Sequence, residues 1–274
     1  MVPTALSAAP LKVVAAENFY GDIAEQVGGD LVTVTSLLSD PNIDPHEYGS
    51  NVAAAKAVAV ASLVVENSGG YDDWMDKMLG ASPNAQRLVL KAFDLAPNHL
   101  PDNEHVWYDP ENIKAIAKAI AASLKKLDPI QAAVFDRNLA TFVAQVQQVS
   151  DKIAFLRVKI SATPVALTET IFLYQAGPLG LKVLTPFEFQ KSVAEGEDPP
   201  ANQAAAAEAQ IKQRQVRVLI FNAQTATPET DKLQILAKAA GIPTVAVTET
   251  MPAKEHYQSW MLRQLDSLQK ALVP

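Results

Sequence analysis

The sequence predicts an α/β protein with two lobes, each a mainly parallel four-stranded sheet flanked by helices, joined by one long backbone helix. Three observations carry this expectation. Short runs rich in Val and Leu recur along the chain with little alternation, which is how strands buried on both faces read. Helical patterns fall between these runs, the order that gives parallel sheets covered by helices. One helical pattern, from Pro129 to about Ile160, continues without glycine or internal proline and has four strand candidates on either side of it.

In the first half the strand-like runs are Leu11–Ala16, Leu31–Leu37, Ser62–Glu66 and Arg87–Phe93. Helical patterns occupy Phe19–Val27, Val52–Ala59, Tyr71–Leu79 and Pro110–Leu124. Asp128-Pro129 then supplies an N-cap and a proline for a first turn. Beyond it Ala133, Phe135, Leu139, Phe142, Val143, Val146, Val149, Ile153 and Leu156 recur at helical spacing. Such a helix runs on the order of 45 Å, longer than one small domain needs. In the second half the strand-like runs are Pro164–Thr168, Leu181–Thr185, Arg217–Phe221 and Thr244–Thr248. The helical patterns are Ala201–Arg214, Pro228–Ala240 and Lys254–Leu272, the first entered through the acidic, proline-containing stretch Glu195–Ala204. The expected division is residues 1–128 as an N-terminal lobe, 129–160 as the linking helix and 161–274 as a C-terminal lobe.

Composition narrows the function. With 49% hydrophobic residues in 274, a substantial core can be buried. A net charge of −7 argues against a nucleic-acid partner, because phosphate binding needs clustered Lys and Arg. No apolar run reaches the roughly 18 residues that span a bilayer. The absence of cysteine excludes disulfides, a thiolate zinc site and a thiol nucleophile, and fits an exported protein. The small, apolar start Val2–Pro10 has no positively charged n-region and is expected to be what a removed leader left behind.

The chain has four histidines. Two of them stand in proline-bounded loops beside carboxylates, in Asp44-Pro45-His46-Glu47-Tyr48 and in His105-Val106-Trp107-Tyr108-Asp109-Pro110. In open α/β sheets ligands collect outside the carboxyl ends of the strands. Glu169 and Glu249 occupy such positions in the second half, immediately after Pro164–Thr168 and Thr244–Thr248. His46, His105, Glu169 and Glu249 are therefore the candidate metal ligands, two from each half. Two neutral imidazoles and two carboxylates neutralise a divalent cation, which matters where an unpaired charge is costly. Nitrogen and oxygen donors suit Zn, Mn, Fe(II) or Co; raw affinity favours zinc, whereas a bidentate carboxylate accommodates manganese. A lone loop histidine is more often a surface hydrogen-bonding residue, and His99 and His256 are read that way. A Glu after a strand is more often a charge complementing a helix N-terminus. Trp107 and Tyr108 are read as packing residues; Glu47, Glu104 and Asp109 are also potential ligands, although a residue adjacent to a strand-end ligand often orients it instead.

At these residues the chain resembles the zinc- and manganese-binding receptors of ABC importers, the cluster A-I solute-binding proteins, essentially from end to end. Asp44-Pro45-His46-Glu47-Tyr48 resembles the family's first ligand loop, and His105-Val106-Trp107 with Asp109-Pro110 its second. Leu63–Asn67 with Trp74 and Leu79 looks like the strand and helix between them, and Asp128-Pro129 like the opening of the backbone helix. Glu169 stands three residues before Phe172-Leu173-Tyr174, where the family places its third ligand; Glu249 in Thr248-Glu249-Thr250-Met251-Pro252 matches the fourth. Two departures stand out: Asn222-Ala223-Gln224 replaces a frequent acidic residue, and the His-rich loop of many zinc receptors is absent. A Glu at the third position resembles the manganese and iron members.

The resemblance implies an extracytoplasmic, non-enzymatic receptor. It would capture Mn2+ or Zn2+ in the cleft between the lobes and deliver it to a membrane permease, working as a monomer. Two rival readings are a zinc metallohydrolase with Glu47 as base and a receptor for a small organic solute. The first lacks an H-E-x-x-H helix and leaves little room for an activated water. The second predicts no tight metal.

Overall fold

The computed structural model describes residues 9–39, 48–49 and 51–273. The His46 loop, with Asp44, Pro45 and Glu47, and the first eight residues lie outside the described residues. The first half runs β1 (Leu11–Glu17), α1 (Asn18–Gly28), β2 (Val32–Leu38), α2 (Val52–Val60), β3 (Leu63–Glu66), α3 (Asp73–Ala81), β4 (Leu88–Lys91), α4 (Ala92–Leu95) and α5 (Pro110–Leu127). A single 3-10 turn leads into α6 (Ala132–Ile160). The second half runs β5 (Pro164–Leu167), α7 (Leu173–Leu179), β6 (Lys182–Val183), α8 (Phe187–Ala194), α9 (Ala201–Lys212), β7 (Leu219–Asn222), α10 (Pro228–Ala240), β8 (Thr244–Val247) and α11 (Tyr257–Leu272).

The two sheets repeat one plan. The first has the order β2-β1-β3-β4 and the second β6-β5-β7-β8, with every pairing parallel. The predicted strands and the long helix are therefore present. All four residues of β3 are buried, as are the last five of β1, which is why these runs carry no polar alternation. β6 is shorter than its hydrophobic run suggests, because as an edge strand it pairs through only Pro164↔Lys182 and Val165↔Val183.

Three helices had no counterpart in the sequence reading. α4 begins inside the expected strand Arg87–Phe93, where pairing stops at Lys91. α7 contains Gly177 and Pro178, which argue against a helix; it ends at Gly180 in the left-handed conformation (φ 70°). A Cβ at Gly180 would also meet the Ser161 hydroxyl. α8, with Phe189 and Val193 buried, closes the outer face of the second sheet.

α6 extends over 29 residues and buries Phe135, Phe142, Val146, Val149, Ile153, Leu156 and Ile160, a stripe at three- and four-residue spacing. It packs against α1 and α5 from the first half and α7 and α11 from the second. One continuous apolar cluster accordingly joins Val13, Trp107, Phe142, Val165 and Leu265 across the halves. Smaller clusters fill the far faces of the two sheets around Val64 and Met75 and around Leu219 and Leu233.

A polar seam supplements the shared core. Asp22 of α1 accepts a hydrogen bond from the Tyr257 N–H at 2.8 Å and lies 2.6 Å from His256 Nδ1, so a side chain of one half caps the first turn of α11 in the other. Asn18 exchanges two hydrogen bonds with the Met251 backbone. Among the described residues no helix is long and apolar enough to cross a membrane.

Candidate metal centre

His105 is held both by its loop and by ring contacts with the core, including Trp107 at 5.1 Å. Asp109 caps α5 by accepting from the Glu111 N–H at 2.8 Å, and Pro110 opens the helix, so the His105–Tyr108 segment has a fixed exit. Val106, Trp107 and Tyr108 form a 3-10 turn buried in the core, as packing residues should. The imidazole itself is 1% exposed. Its Nδ1 lies 2.9 Å from Asn103 Oδ1. Asn103 Nδ2 donates to the Thr170 carbonyl at 2.9 Å, which fixes the amide so that Oδ1 must accept. Nδ1 therefore carries the proton, and Nε2 is left as the lone-pair donor, the arrangement by which a carbonyl oxygen prepares a histidine for a metal.

Glu249 follows β8 and is 3% exposed. Both of its oxygens are held. Tyr71 Oη donates to Oε2 at 3.1 Å and Asn222 Nδ2 donates to Oε1 at 2.5 Å, with Thr225 Oγ1 at 3.4 Å from the same oxygen. Oε2, with a single donor, keeps a further lone pair for a cation. The segment behind it is anchored too: Tyr108 Oη donates to the Thr248 carbonyl at 2.7 Å, and Trp260 Nε1 to Thr248 Oγ1 at 2.9 Å.

Glu169 follows β5 and is 2% exposed. Its neighbour Thr170 places a hydroxyl 3.5 Å from His105 Nδ1. Tyr71 bridges two of the candidates. The Tyr71 ring meets the His105 ring edge at 5.9 Å while its hydroxyl holds Glu249. Tyr108 is subject to both Glu249 and Glu169, although burial is the largest influence on it. Burial first, and Glu249 next, pushes the Tyr71 hydroxyl well above the usual tyrosine range, so it remains a donor.

His105, Glu169 and Glu249 thus come to one buried region where the two halves meet, at the carboxyl ends of the strands. His46 lies outside the described residues, and among those described no three His, Asp or Glu side chains stand close enough to form a finished cation cage. His256 pairs with Asp22, the hydrogen-bonding role expected of it, whereas His99 packs its ring, tilted, against Phe93 at 4.4 Å. Glu104 Oε1 approaches His105 Nε2 at 4.0 Å, and Asp109 acts as a helix cap.

Sequence reasoning missed Asn103, Tyr71 and Asn222, which orient the candidate ligands. It also missed a set of three buried carboxyl groups in the first half. Glu17, Glu66 and Asp72 are 0, 1 and 2% exposed. A usable signal existed: Glu17 and Glu66 end β1 and β3, the same strand-end rule that selected Glu169 and Glu249.

Residues 13–271 match the family model described as zinc-uptake complex component A, periplasmic. Among curated proteins, the chain is 24% identical over 144 residues to the manganese-binding lipoprotein MntA of Halalkalibacterium halodurans, covering 52% of this chain and 48% of that one, so it spans about half of that relative's length. It is 23% identical over 286 residues to the metal ABC transporter substrate-binding lipoprotein FimA of Streptococcus parasanguinis, covering 96% and 89% of the two chains. Among solved structures, the periplasmic zinc-binding protein TroA of Treponema pallidum superposes with a TM-score of 0.83 at 19% identity, covering 97% of this chain and all of the other (100%). That likeness shows the fold, and the family model, which spans nearly the whole sequence, shows the family: the chain belongs to the periplasmic zinc-uptake complex component A family.

Proposed function

We propose that the protein is an extracytoplasmic substrate-binding protein that takes up a divalent transition metal, Mn2+ or Zn2+, between its two halves and hands it to an ABC permease. The observation that carries this reading is the preparation of two donors in a buried seam. His105 is oriented with its proton on Nδ1, and Glu249 is held at both oxygens with coordination capacity to spare. His46 and Glu169 complete the proposed set, giving two ligands from residues 1–128 and two from residues 161–274, with 129–160 as the connecting helix. The cation is cargo, so binding has to be strong enough for capture and reversible on docking.

Relatives whose names record manganese and zinc binding support a transition-metal cargo, and the donor set of two imidazoles and two carboxylates suits either ion. Their designations as lipoproteins and a periplasmic protein support a location outside the cytoplasm. The shared core along α6 argues against a wide hinge opening, so release by rearrangement within one half fits the packing better. A monomer without nucleic-acid partners fits the charge balance.

The test is metal analysis of protein purified without chelator, followed by titration of EDTA-stripped protein with Mn2+ and Zn2+. Binding in the micromolar range or tighter is expected, weakened strongly by His46→Ala, His105→Ala, Glu169→Ala and Glu249→Ala with the circular dichroism spectrum retained. No binding of either ion by the wild-type protein would sink the reading, and a variant with unchanged affinity would remove its residue from the set.

A further inference from the structure

Behind Tyr71, residues 67–72 make a turn that touches both halves. Ser68, Gly69 and Gly70 all have positive φ (65°, 67° and 94°), so three successive residues sit in the left-handed region, an arrangement that needs outside support. Asp72 provides it. Oδ2 accepts the Asn67 N–H at 2.7 Å and Oδ1 the Ser68 N–H at 2.5 Å, so one carboxylate closes the turn on itself. The turn then reaches outward in two directions. Tyr71 Oη donates to Glu249. Asn67 accepts from Tyr20 Oη at 2.6 Å and donates through Nδ2 to the Glu104 carbonyl at 3.1 Å, next to His105.

The Asp72 carboxylate has another buried carboxyl against it. Glu17 is 0% exposed, and neither oxygen receives a hydrogen bond from a neighbouring donor group among the described residues. Its carboxyl meets that of Asp72. Two carboxylates in that position repel; a carboxylic acid and a carboxylate attract, the acid donating. Burial raises Asp72 as well, but two backbone N–H groups oppose this by favouring its charged form, whereas Glu17 receives no such donor, so the proton belongs on Glu17. The energetics agree: burial, then Asp72, pushes Glu17 well above the ordinary carboxylate range. The other charged and titratable groups facing Glu17 reinforce this. Glu66 of β3 adds like charge, only partly offset by Lys91 of β4 at 3.3 Å, while Tyr20 and Tyr71 are neutral phenols.

We propose that Glu17, as a neutral acid donating to Asp72, is a positioning residue for the metal site: the pair fixes the 67–72 turn, from which Tyr71 orients Glu249 and Asn67 anchors the His105 loop. This deepens the receptor reading and rests on it. Glu17 does not touch the cation. It acts through the turn, in the way that partners behind a metal ligand set its orientation. A side chain able only to donate serves as well as the acid, and one unable to donate leaves the Asp72 charge facing an apolar group.

The experiment uses the full chain and titrations with Mn2+ and Zn2+ against a competing chelator. Glu17→Gln, a permanent donor of the same shape, is expected to bind within about threefold of wild type, whereas Glu17→Met weakens binding about tenfold or more. In a Tyr71→Phe background the Glu17→Met loss shrinks, because both substitutions act along one path. Equal affinity of wild type and Glu17→Met, or a loss of the same size with and without the Tyr71 hydroxyl, would overturn the proposal. A measurement independent of whether the Met variant folds is infrared difference spectroscopy at neutral pH. In a Glu66→Gln background, which removes an acid that is itself partly protonated near pH 7, the C=O stretch of a protonated carboxylic acid is expected with Glu17 present and missing with Glu17→Gln, and its absence with Glu17 present would equally overturn the proposal. Failure of wild type to bind either ion would instead indict the receptor reading, leaving the infrared result to judge the proton.

Discussion

Removing the hydroxyl of Tyr71 tests whether Glu249 is a prepared ligand. In Tyr71→Phe the ring keeps its place, 4.7 Å from Trp107 and 5.9 Å from His105, so the core packing is conserved while the 3.1 Å hydrogen bond to Glu249 Oε2 is lost. A hydrogen bond to a charged group contributes about 1.5–3 kcal/mol. Losing an orienting partner of a metal ligand typically lowers affinity about 10–100-fold, which converts to roughly 1.4–2.8 kcal/mol. The two routes agree because they describe one event: a buried carboxylate released to sample other rotamers before the cation arrives. Asn222→Ala removes the donor on the other oxygen, 2.5 Å from Oε1, and should weaken binding by a similar factor. Competitive chelator titration with Mn2+ and Zn2+, alongside circular dichroism, reads both variants. Affinity within about twofold of wild type in both would refute the reasoning, since a ligand that needs no holding is either not oriented by these groups or not a ligand.

Two further outcomes are expected. Burial, then Asp72, raises Glu66 from 4.5 to about 7 against the opposing pull of Lys91. Because the folded value lies above the unfolded one, stability associated with Glu66 is full below pH 4.5 and is lost as pH rises towards 7; Glu66→Gln should flatten this part of the curve of urea midpoint against pH, and an unchanged slope would contradict the assignment. At the seam, Asp22→Ala strands the Tyr257 N–H and frees His256, and should cost about 1–2 kcal/mol in urea unfolding by loss of the helix cap, with a wild-type midpoint as the contrary result.

How far the sequence could be read depended on what each signal required. β1 and β3 were legible because strands covered on both faces need apolar residues at consecutive positions, and α6 because a long buried stripe tolerates no proline or glycine. α7 was illegible because Gly177 and Pro178 are local signals against a helix, overruled by the packing of Tyr174, Ala176 and Leu179. Tyr71 read as the beginning of a helix; its role appears only when residue 249, far along the chain, is brought to its hydroxyl. The strand-end carboxylates are the instructive case. One rule marks Glu17, Glu66, Glu169 and Glu249, yet they divide into two kinds. Glu17 and Glu66 are the last paired residues of β1 and β3, opposite Leu38 and Lys91, and remain between the sheet and its covering elements. Glu169 and Glu249 come two residues after Leu167 and Val247 end β5 and β8, where the chain has left the ladder and turns into the seam between the halves. Inside the ladder a carboxyl group cannot reach a cation in that seam and settles by keeping a proton or finding a lysine. Two residues further on the same group can be held by donors and offered to a metal. The distance past the last ladder pair, rather than the residue type, separates groups that hold the scaffold from groups that can hold the ion.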